Sequence, residues 1–168
     1  MKTYLVTGAA GFVGAALAQK LIDKGNKVIT IDNLSTGFEK SIPKGVIFYK
    51  GNAQDALLIK KLEKYNFDCI FHIAGQSSGE ISYDDPVYDL QTNTQSTLLL
   101  LKLAEKIKCK KFIYASTMYV YSNRGGFYRT TKQASEDIIT SYNEKYGIEY
   151  VMLRYGTIYG PGAQKWNS

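Results

Sequence analysis

Between an apolar run, Tyr4-Leu5-Val6, and a helical pattern carried by Val13, Leu17 and Leu21 stand the residues Thr7-Gly8-Ala9-Ala10-Gly11-Phe12-Val13-Gly14. A strand that must become a helix within so few residues, through three glycines, restricts the fold more than any other stretch of the chain. One glycine at the strand end permits the tight turn, a second lets the backbone approach an anion, and a third lets the helix pack closely on the strand. The helix N-terminus then offers unpaired N–H groups and the positive end of its dipole, which suits a pyrophosphate. Glycine-rich strand-to-helix turns also arise for structural reasons alone, so the neighbouring sequence has to decide.

Lys27-Val28-Ile29-Thr30-Ile31 predicts a second buried strand. Asp32 closes it roughly 20 residues beyond the glycines, where a ribose-binding carboxylate belongs. A carboxylate accepts from the 2′- and 3′-hydroxyls of an adenosine ribose and repels a 2′-phosphate, and residues 33–37 contain no arginine. The pattern favours NAD over NADP. The alternative for Asp32 is an ordinary turn or cap aspartate.

Apolar runs at 46–49, 67–73, 111–116 and 149–154 predict four further strands. Helical patterns lie between them: one capped by Asp55 and reaching Leu62, a long one over 86–107, and one over 127–146. Strands that alternate with helices and are apolar on both faces imply an α/β fold, a doubly wound parallel sheet of the Rossmann type with about six strands. Such sheets bind ligands outside the carboxyl ends of their strands, where the glycine loop, Asp32, Ala74-Gly75, Thr117 and Tyr155 fall. Leu98 to Leu101 with Leu103 make the centre of the long helix apolar nearly all round. That predicts one face on the sheet and another on a partner subunit.

The 168 residues fit one domain, expected to span 1–168, and 45% hydrophobic residues suffice for a core. The net charge of +6 raises the question of a nucleic-acid partner, but the densest basic run, Lys106-Ile107-Lys108-Cys109-Lys110-Lys111, sits where a helix should end. Lysines there complement the helix dipole, and no aromatic-interleaved basic motif accompanies them, so no nucleic-acid partner is expected. Cys69 and Cys109 have no motif spacing and are expected as reduced thiols. With a single histidine, His72, the chain has little for a metal site or a Ser-His-Asp triad, and His72 is expected as a core or cofactor-lining residue. No apolar run approaches the ~20 residues of a membrane span, and the N-terminus lacks a signal-peptide pattern. The cytoplasm is the expected location.

Tyr128-Arg129-Thr130-Thr131-Lys132 places a tyrosine and a lysine on one face of a helix. An ammonium near a phenol favours the phenolate, which would move the tyrosine from about 10 toward the working range of a base. Thr7 to Gly14, Asp32, His72-Ile73-Ala74-Gly75, Asn93, Ser116-Thr117 with Val120-Tyr121, Tyr128 to Lys132, and Arg154-Tyr155 with Tyr159-Gly160-Pro161 occur in one order along the whole chain. This series resembles the extended short-chain dehydrogenase/reductases, specifically the NAD-dependent nucleotide-sugar epimerase/dehydratase family.

The resemblance implies a tightly held NAD, a nucleotide-sugar substrate and a homodimer through the leucine-rich and tyrosine helices. It implies Tyr128 as base for a sugar hydroxyl, Thr117 as its hydrogen-bonding companion, and Lys132 on the nicotinamide ribose. By the same resemblance the cofactor is lined by Gly8, Gly11, Phe12, Val13, Gly14, Asp32, Asn33, Asn52, Ala53, Ala74, Gly75, Gln76, Asn93, Ala115 and Tyr155, together with Tyr128 and Lys132. Transient oxidation of the sugar and hydride return to the opposite face would give an epimer.

The chain departs from the family pattern at several places. Only residues 118–127 separate the Ser-Thr strand from the tyrosine helix, Asn52 stands where an aspartate is common, Gly156-Thr157 replaces Phe-Asn after Arg154-Tyr155, and the substrate-binding C-terminal half is absent. Met118-Tyr119 occupies the place of the Asp-Glu pair of the 4,6-dehydratases, which leaves no acid and base for eliminating water. A dehydratase or reductase of the same family, or a non-catalytic NAD-binding module, are the alternatives to an epimerase.

Overall fold

The computed structural model describes residues 1–163. Its six strands are β1 (Thr3–Thr7), β2 (Lys27–Asp32), β3 (Ile47–Lys50), β4 (Cys69–His72), β5 (Lys111–Thr117) and β6 (Glu149–Tyr155). They form one parallel sheet in the order β3-β2-β1-β4-β5-β6. This is the doubly wound arrangement expected from the sequence. The winding reverses between β1 and β4, so the crevice beyond their carboxyl ends is the place for a ligand.

The helices are α1 (Phe12–Asp23), α2 (Ala56–Lys61), α3 (Ile81–Asp84), α4 (Pro86–Leu90), α5 (Ser96–Lys106) and α6 (Gly126–Tyr146). Side chains alternate along each strand, so neighbouring residues feed opposite layers. Leu5, Ile29, Ile70, Phe112 and Tyr114 join Leu62, Leu100, Leu101 and Ile139 in the larger core. Val6 and Val28 join Ala9 and Ala18 under α1, with Leu17, Leu21 and Phe71 packed around them. On β6, Met152 packs toward the larger core, whereas Val151 and Leu153 are exposed.

Local signals hold where they depend on neighbouring residues. Asp55 caps α2 by accepting from the N–H groups of Leu57 and Leu58, and Gly147, at φ +67°, ends α6 with its N–H on Asn143. The lysine run follows the end of α5, where Lys106 pairs with Glu63 at 2.7 Å. Both cysteines are free and buried. The expected fourth strand is shorter than 67–73, the third begins one residue later than 46, and the sixth reaches Tyr155.

The long helix expected over 86–107 is interrupted: Gln91–Gln95 form a π-helical turn between α4 and α5. Leu100, Leu101 and Leu103 are buried, whereas Leu98 remains 37% exposed and is joined by exposed Val87 and Leu90. No described helix is long and apolar enough to cross a membrane. Among the described residues no group of three or more His, Cys, Asp or Glu is placed to hold a metal. The polar tail without a further element lies, from residue 164 onward, outside the described residues.

Candidate functional site

The glycine loop is built by close backbone approach. Gly8 has φ +77°, donates its N–H to Ile31 at 2.8 Å, and would put a Cβ 2.9 Å from the backbone nitrogen of Ala74. A Cβ on Gly14 would lie 2.0 Å from the carbonyl oxygen of Gly8. The first turn of α1 therefore sits directly on the turn that leaves β1. Gly11 is the N-cap of α1 and no side chain caps its N–H groups, which leaves the first-turn donors, those of Phe12, Val13 and Gly14 among them, for an anion. The Phe12 ring borders Gly160 and Gly162 at the far end of the chain.

Asp32 is nearly buried and is engaged on both oxygens. It accepts from the N–H of Ala10 and from the N–H of Leu34, each at 2.8 Å. It thereby holds the glycine loop to the turn after β2, and each oxygen keeps a second lone pair for a further donor. Beside it Asn33 donates to the side-chain oxygen of Asn52 at 2.8 Å, with Ala53 buried next in sequence.

At the exit of β4, Thr7 makes a fastening that sequence reasoning did not single out. Its hydroxyl accepts from the N–H groups of Ile73 and Ala74 at 3.1 and 3.0 Å, so it donates to Nδ1 of His72, 2.9 Å away. The other ring nitrogen then donates to Ser96 at 3.0 Å, and Ser96 donates to the carbonyl of Thr92. His72 is buried and pushed down to about 3 by loss of hydration and, second, by the charge of Lys132. It is the core residue expected, held neutral and unsuited to act as a base.

On α6, Tyr128, Thr131, Lys132, Ser135 and Glu136 form a buried polar stripe. Lys132 donates to the carbonyl of Ala115 at 3.0 Å and lies 4.9 Å from the Tyr114 ring centre and 5.8 Å from that of Tyr128. Burial lowers it to about 8, against the opposing pull of Asp89 and Glu136. Thr117 is buried at the end of β5 and accepts from the N–H of Tyr119, whose ring meets that of Tyr128 edge-on at 6.1 Å. Tyr155 stands opposite Thr117 in the β5–β6 register.

One expectation is corrected here: Tyr128 lies above the usual phenol value, because burial outweighs the lowering effect of its hydrogen bond with Thr117. Two carboxylates, Asp89 and Glu136, share the field of Lys132, and Asp89 also acts against the phenolate.

A Cβ on Gly75 would fall 2.6 Å from Oδ1 of Asn93 and 3.1 Å from Nζ of Lys132. Asn93 is fully buried, and its Oδ1 has no hydrogen-bond partner among the described residues. An amide oxygen and an ammonium thus pack side by side against a glycine whose missing side chain gives them room. Gln76 is turned away, closing its own loop through the backbone of Ser78. Asp89, Thr131 and Glu136, all buried in this cluster, escaped the sequence reading. Their one signal is helical spacing: Asp89 precedes Asn93, and Glu136 follows Lys132, by four residues.

With this geometry in view, similarity to known proteins is informative. The profile of the NAD dependent epimerase/dehydratase family matches residues 4–168. A UDP-glucose 4-epimerase of Streptomyces lividans is 30% identical over 94% of this chain and 52% of its own length. The crystal structure of UDP-glucose 4-epimerase with UDP-glucose from Thermotoga maritima matches 95% of this chain and 57% of that one, with 32% identity and a TM-score of 0.91. The Thermus thermophilus UDP-glucose 4-epimerase in complex with NAD matches 96% and 57%, with 30% identity and a TM-score of 0.89. The chain spans about half the length of these relatives.

Proposed function

Because this chain belongs to the NAD dependent epimerase/dehydratase family, we propose that it is the cofactor-binding part of an NAD-dependent nucleotide-sugar epimerase. The observation that carries this reading is the convergence at Gly75, where the unpartnered Asn93 oxygen and the Lys132 ammonium meet. The residues fit a dinucleotide. First-turn N–H groups of α1 take the pyrophosphate, the free lone pairs of Asp32 take the adenosine ribose, and the Asn33–Asn52 amides border the adenine end. Lys132 and Asn93 take the hydroxyls of the second ribose. Bound NAD would supply the hydride acceptor, and its reduced form the donor, for the sugar carbon.

This chain's own residues would manage the proton. Thr117 and Tyr128 stand together beyond β5, so a sugar hydroxyl placed between them donates to Tyr128 while Thr117 fixes its orientation. Tyr128 lies above the usual phenol value, so it must be lowered before it can act, and Lys132, 5.8 Å from the ring centre, does not by itself offset the burial. The relatives named for UDP-glucose support a UDP-hexose as the sugar. Met118-Tyr119 directly after Thr117 support epimerisation over elimination of water, since a thioether transfers no proton.

The substrate half of the longer relatives lies outside this chain on this reading, so residues 1–168 bind cofactor but turn over sugar poorly. The exposed Leu98 on α5, with Val87 and Leu90 on the preceding α4, supports a homodimer through the leucine-rich and tyrosine helices, in a protein of the cytoplasm. Fluorescence titration with NADH and NADPH tests the cofactor assignment. Wild type should prefer NADH, and Asp32→Ala should weaken NADH and narrow the preference; an unchanged preference refutes it.

A further inference from the structure

Asp89 is a carboxylate with no exposed surface, on a helix that contributes no other group to the site. Its Oδ2 accepts from the Thr131 hydroxyl at 2.6 Å and its Oδ1 from the Asn93 amide at 3.2 Å. The same amide also reaches Thr131 Oγ1 at 3.2 Å, which closes a three-membered ring of contacts across two helices. Both partners of the carboxyl group are donors, which is the pattern of an ionised, acceptor-only carboxylate. With its nitrogen held by Asp89 and Thr131, the Asn93 amide has one orientation left, and that orientation turns Oδ1 toward Gly75 and Lys132.

The contacts around this ring run the same way. Thr94 donates to the Thr131 carbonyl at 3.0 Å, and Ser135 to the Asn93 carbonyl at 3.2 Å. The π-helical turn Gln91–Gln95 is thereby tied to the two turns of α6 that carry Tyr128 and Lys132.

Glu136, the other buried carboxylate near Lys132, is differently committed. It accepts from Arg154 through Nε and Nη2, at 3.0 and 2.7 Å to its nearer oxygens, and from Ser116 at 2.5 Å. Its charge is matched by a guanidinium. Asp89 has neutral donors only, so its charge is left for the Lys132 ammonium. Around Lys132 the facing groups are Asp89 from α4, Glu136 and Tyr128 from α6, Tyr114 and the Ala115 carbonyl from β5, and neutral His72 from β4.

We propose that Asp89 is a positioning residue of the cofactor site: by accepting from Asn93 and Thr131 together, it holds the Asn93 oxygen against Gly75 and keeps Lys132 charged beside it. The ligand of these two groups rests on the reading of the site as an NAD site; the effect on Lys132 does not.

The test is an NMR titration of the 13C-lysine-labelled chain, following the Cε resonance of Lys132, identified by its loss in Lys132→Arg. In Asp89→Asn, which keeps the side-chain volume, the Lys132 midpoint should move down by about one pH unit. NADH affinity at pH 7 should fall about tenfold. A midpoint that stays in place in a folded Asp89→Asn protein overturns the proposal, whatever NADH does. If wild type binds no NADH while the midpoint moves, the cofactor reading fails and the charge role stands. Should Asp89→Asn not fold, Thr131→Val and Thr131→Ser replace it: loss of NADH affinity in the valine variant with recovery in the serine variant supports the role, and any other pattern overturns it.

Discussion

Replacing Gly14 by alanine tests the construction of the glycine loop directly. The added Cβ would sit 2.0 Å from the Gly8 carbonyl oxygen, 2.6 Å from its carbon and 3.1 Å from Cα of Ala9. All three are backbone atoms, so no side chain can swing aside. Either α1 retreats by about 1 Å or the Gly8 turn opens, and the turn is held by Gly8 N–H on Ile31 at 2.8 Å and Gly11 N–H on Gly8 at 3.1 Å. Overpacking costs about 1–3 kcal/mol and a strained hydrogen bond about 1 kcal/mol more. A total near 3 kcal/mol, at about 2–4 °C per kcal/mol for a domain of this size, lowers Tm by about 6–12 °C. On the proposed NAD reading, affinity for NADH should fall by about tenfold or more, because the first-turn N–H groups left for an anion move with α1.

Gly25→Ala is the control. Its φ is positive, +74°, unlike that of Gly14 inside α1, but nothing lies within 4 Å of its Cβ, so only backbone strain of about 1 kcal/mol applies, with about 2–4 °C and no change in NADH binding. Circular dichroism melts and NADH fluorescence titrations read both. A Gly14→Ala protein that melts with the Gly25→Ala protein and binds NADH like wild type would refute the close-approach argument.

His72, at about 3 in the folded protein against about 6.5 unfolded, takes up a proton only on unfolding between those values, so stability present above pH 6.5 falls as pH drops, by up to about 1.4 kcal/mol per unit. Guanidinium unfolding between pH 7 and 5 should show this slope in wild type and lose it in His72→Gln; equal slopes refute the buried neutral histidine. For the dimer, sedimentation equilibrium at micromolar concentration should give a dimer for wild type and a monomer for Leu98→Glu, and a wild-type monomer would exclude the helix face around Leu98.

What was legible in the sequence is what a few adjacent residues decide. The glycine turn, Asp32 at the end of β2, the Asp55 cap and the Gly147 stop are each fixed by local backbone chemistry, and the alternation of apolar runs with helical patterns was enough for the doubly wound sheet. The interruption of the helix at Gln91–Gln95 was not legible, because nothing in Gln-Thr-Asn-Thr-Gln opposes an ordinary helix. Its stabilisation comes from Thr131 and Ser135, some 40 residues away in sequence. Tyr128 was misjudged for a related reason. The spacing to Lys132 is local, but the depth of burial and the Asp89 carboxylate, which competes for the lysine, come from other elements. Asp32 stands at the end of β2 as expected, while its hydrogen bonds from Ala10 and Leu34 depend on a turn whose path the sequence did not disclose.

The polar stripe of α6 explains why these requirements meet in one helix. Tyr128, Lys132 and Glu136 recur every fourth residue, so at 3.6 residues per turn each is displaced by about 40° around the axis from the last. The first therefore faces the open end of β5 near Thr117, the second Gly75, and the third the β5–β6 edge, where Arg154 and Ser116 receive it. Rotating the helix to improve one contact would spoil the other two. Glu136 with Arg154 fixes that rotation from the β6 side and Asp89 with Thr131 from the α4 side. A buried polar network is tolerable only when its members are satisfied, and here, among the described residues, the Tyr114 hydroxyl beneath the lysine and Asn93 Oδ1 beside it are left without a partner, the second packed on Gly75. The fold bears the cost of that atom at the point where a ligand hydroxyl would remove it.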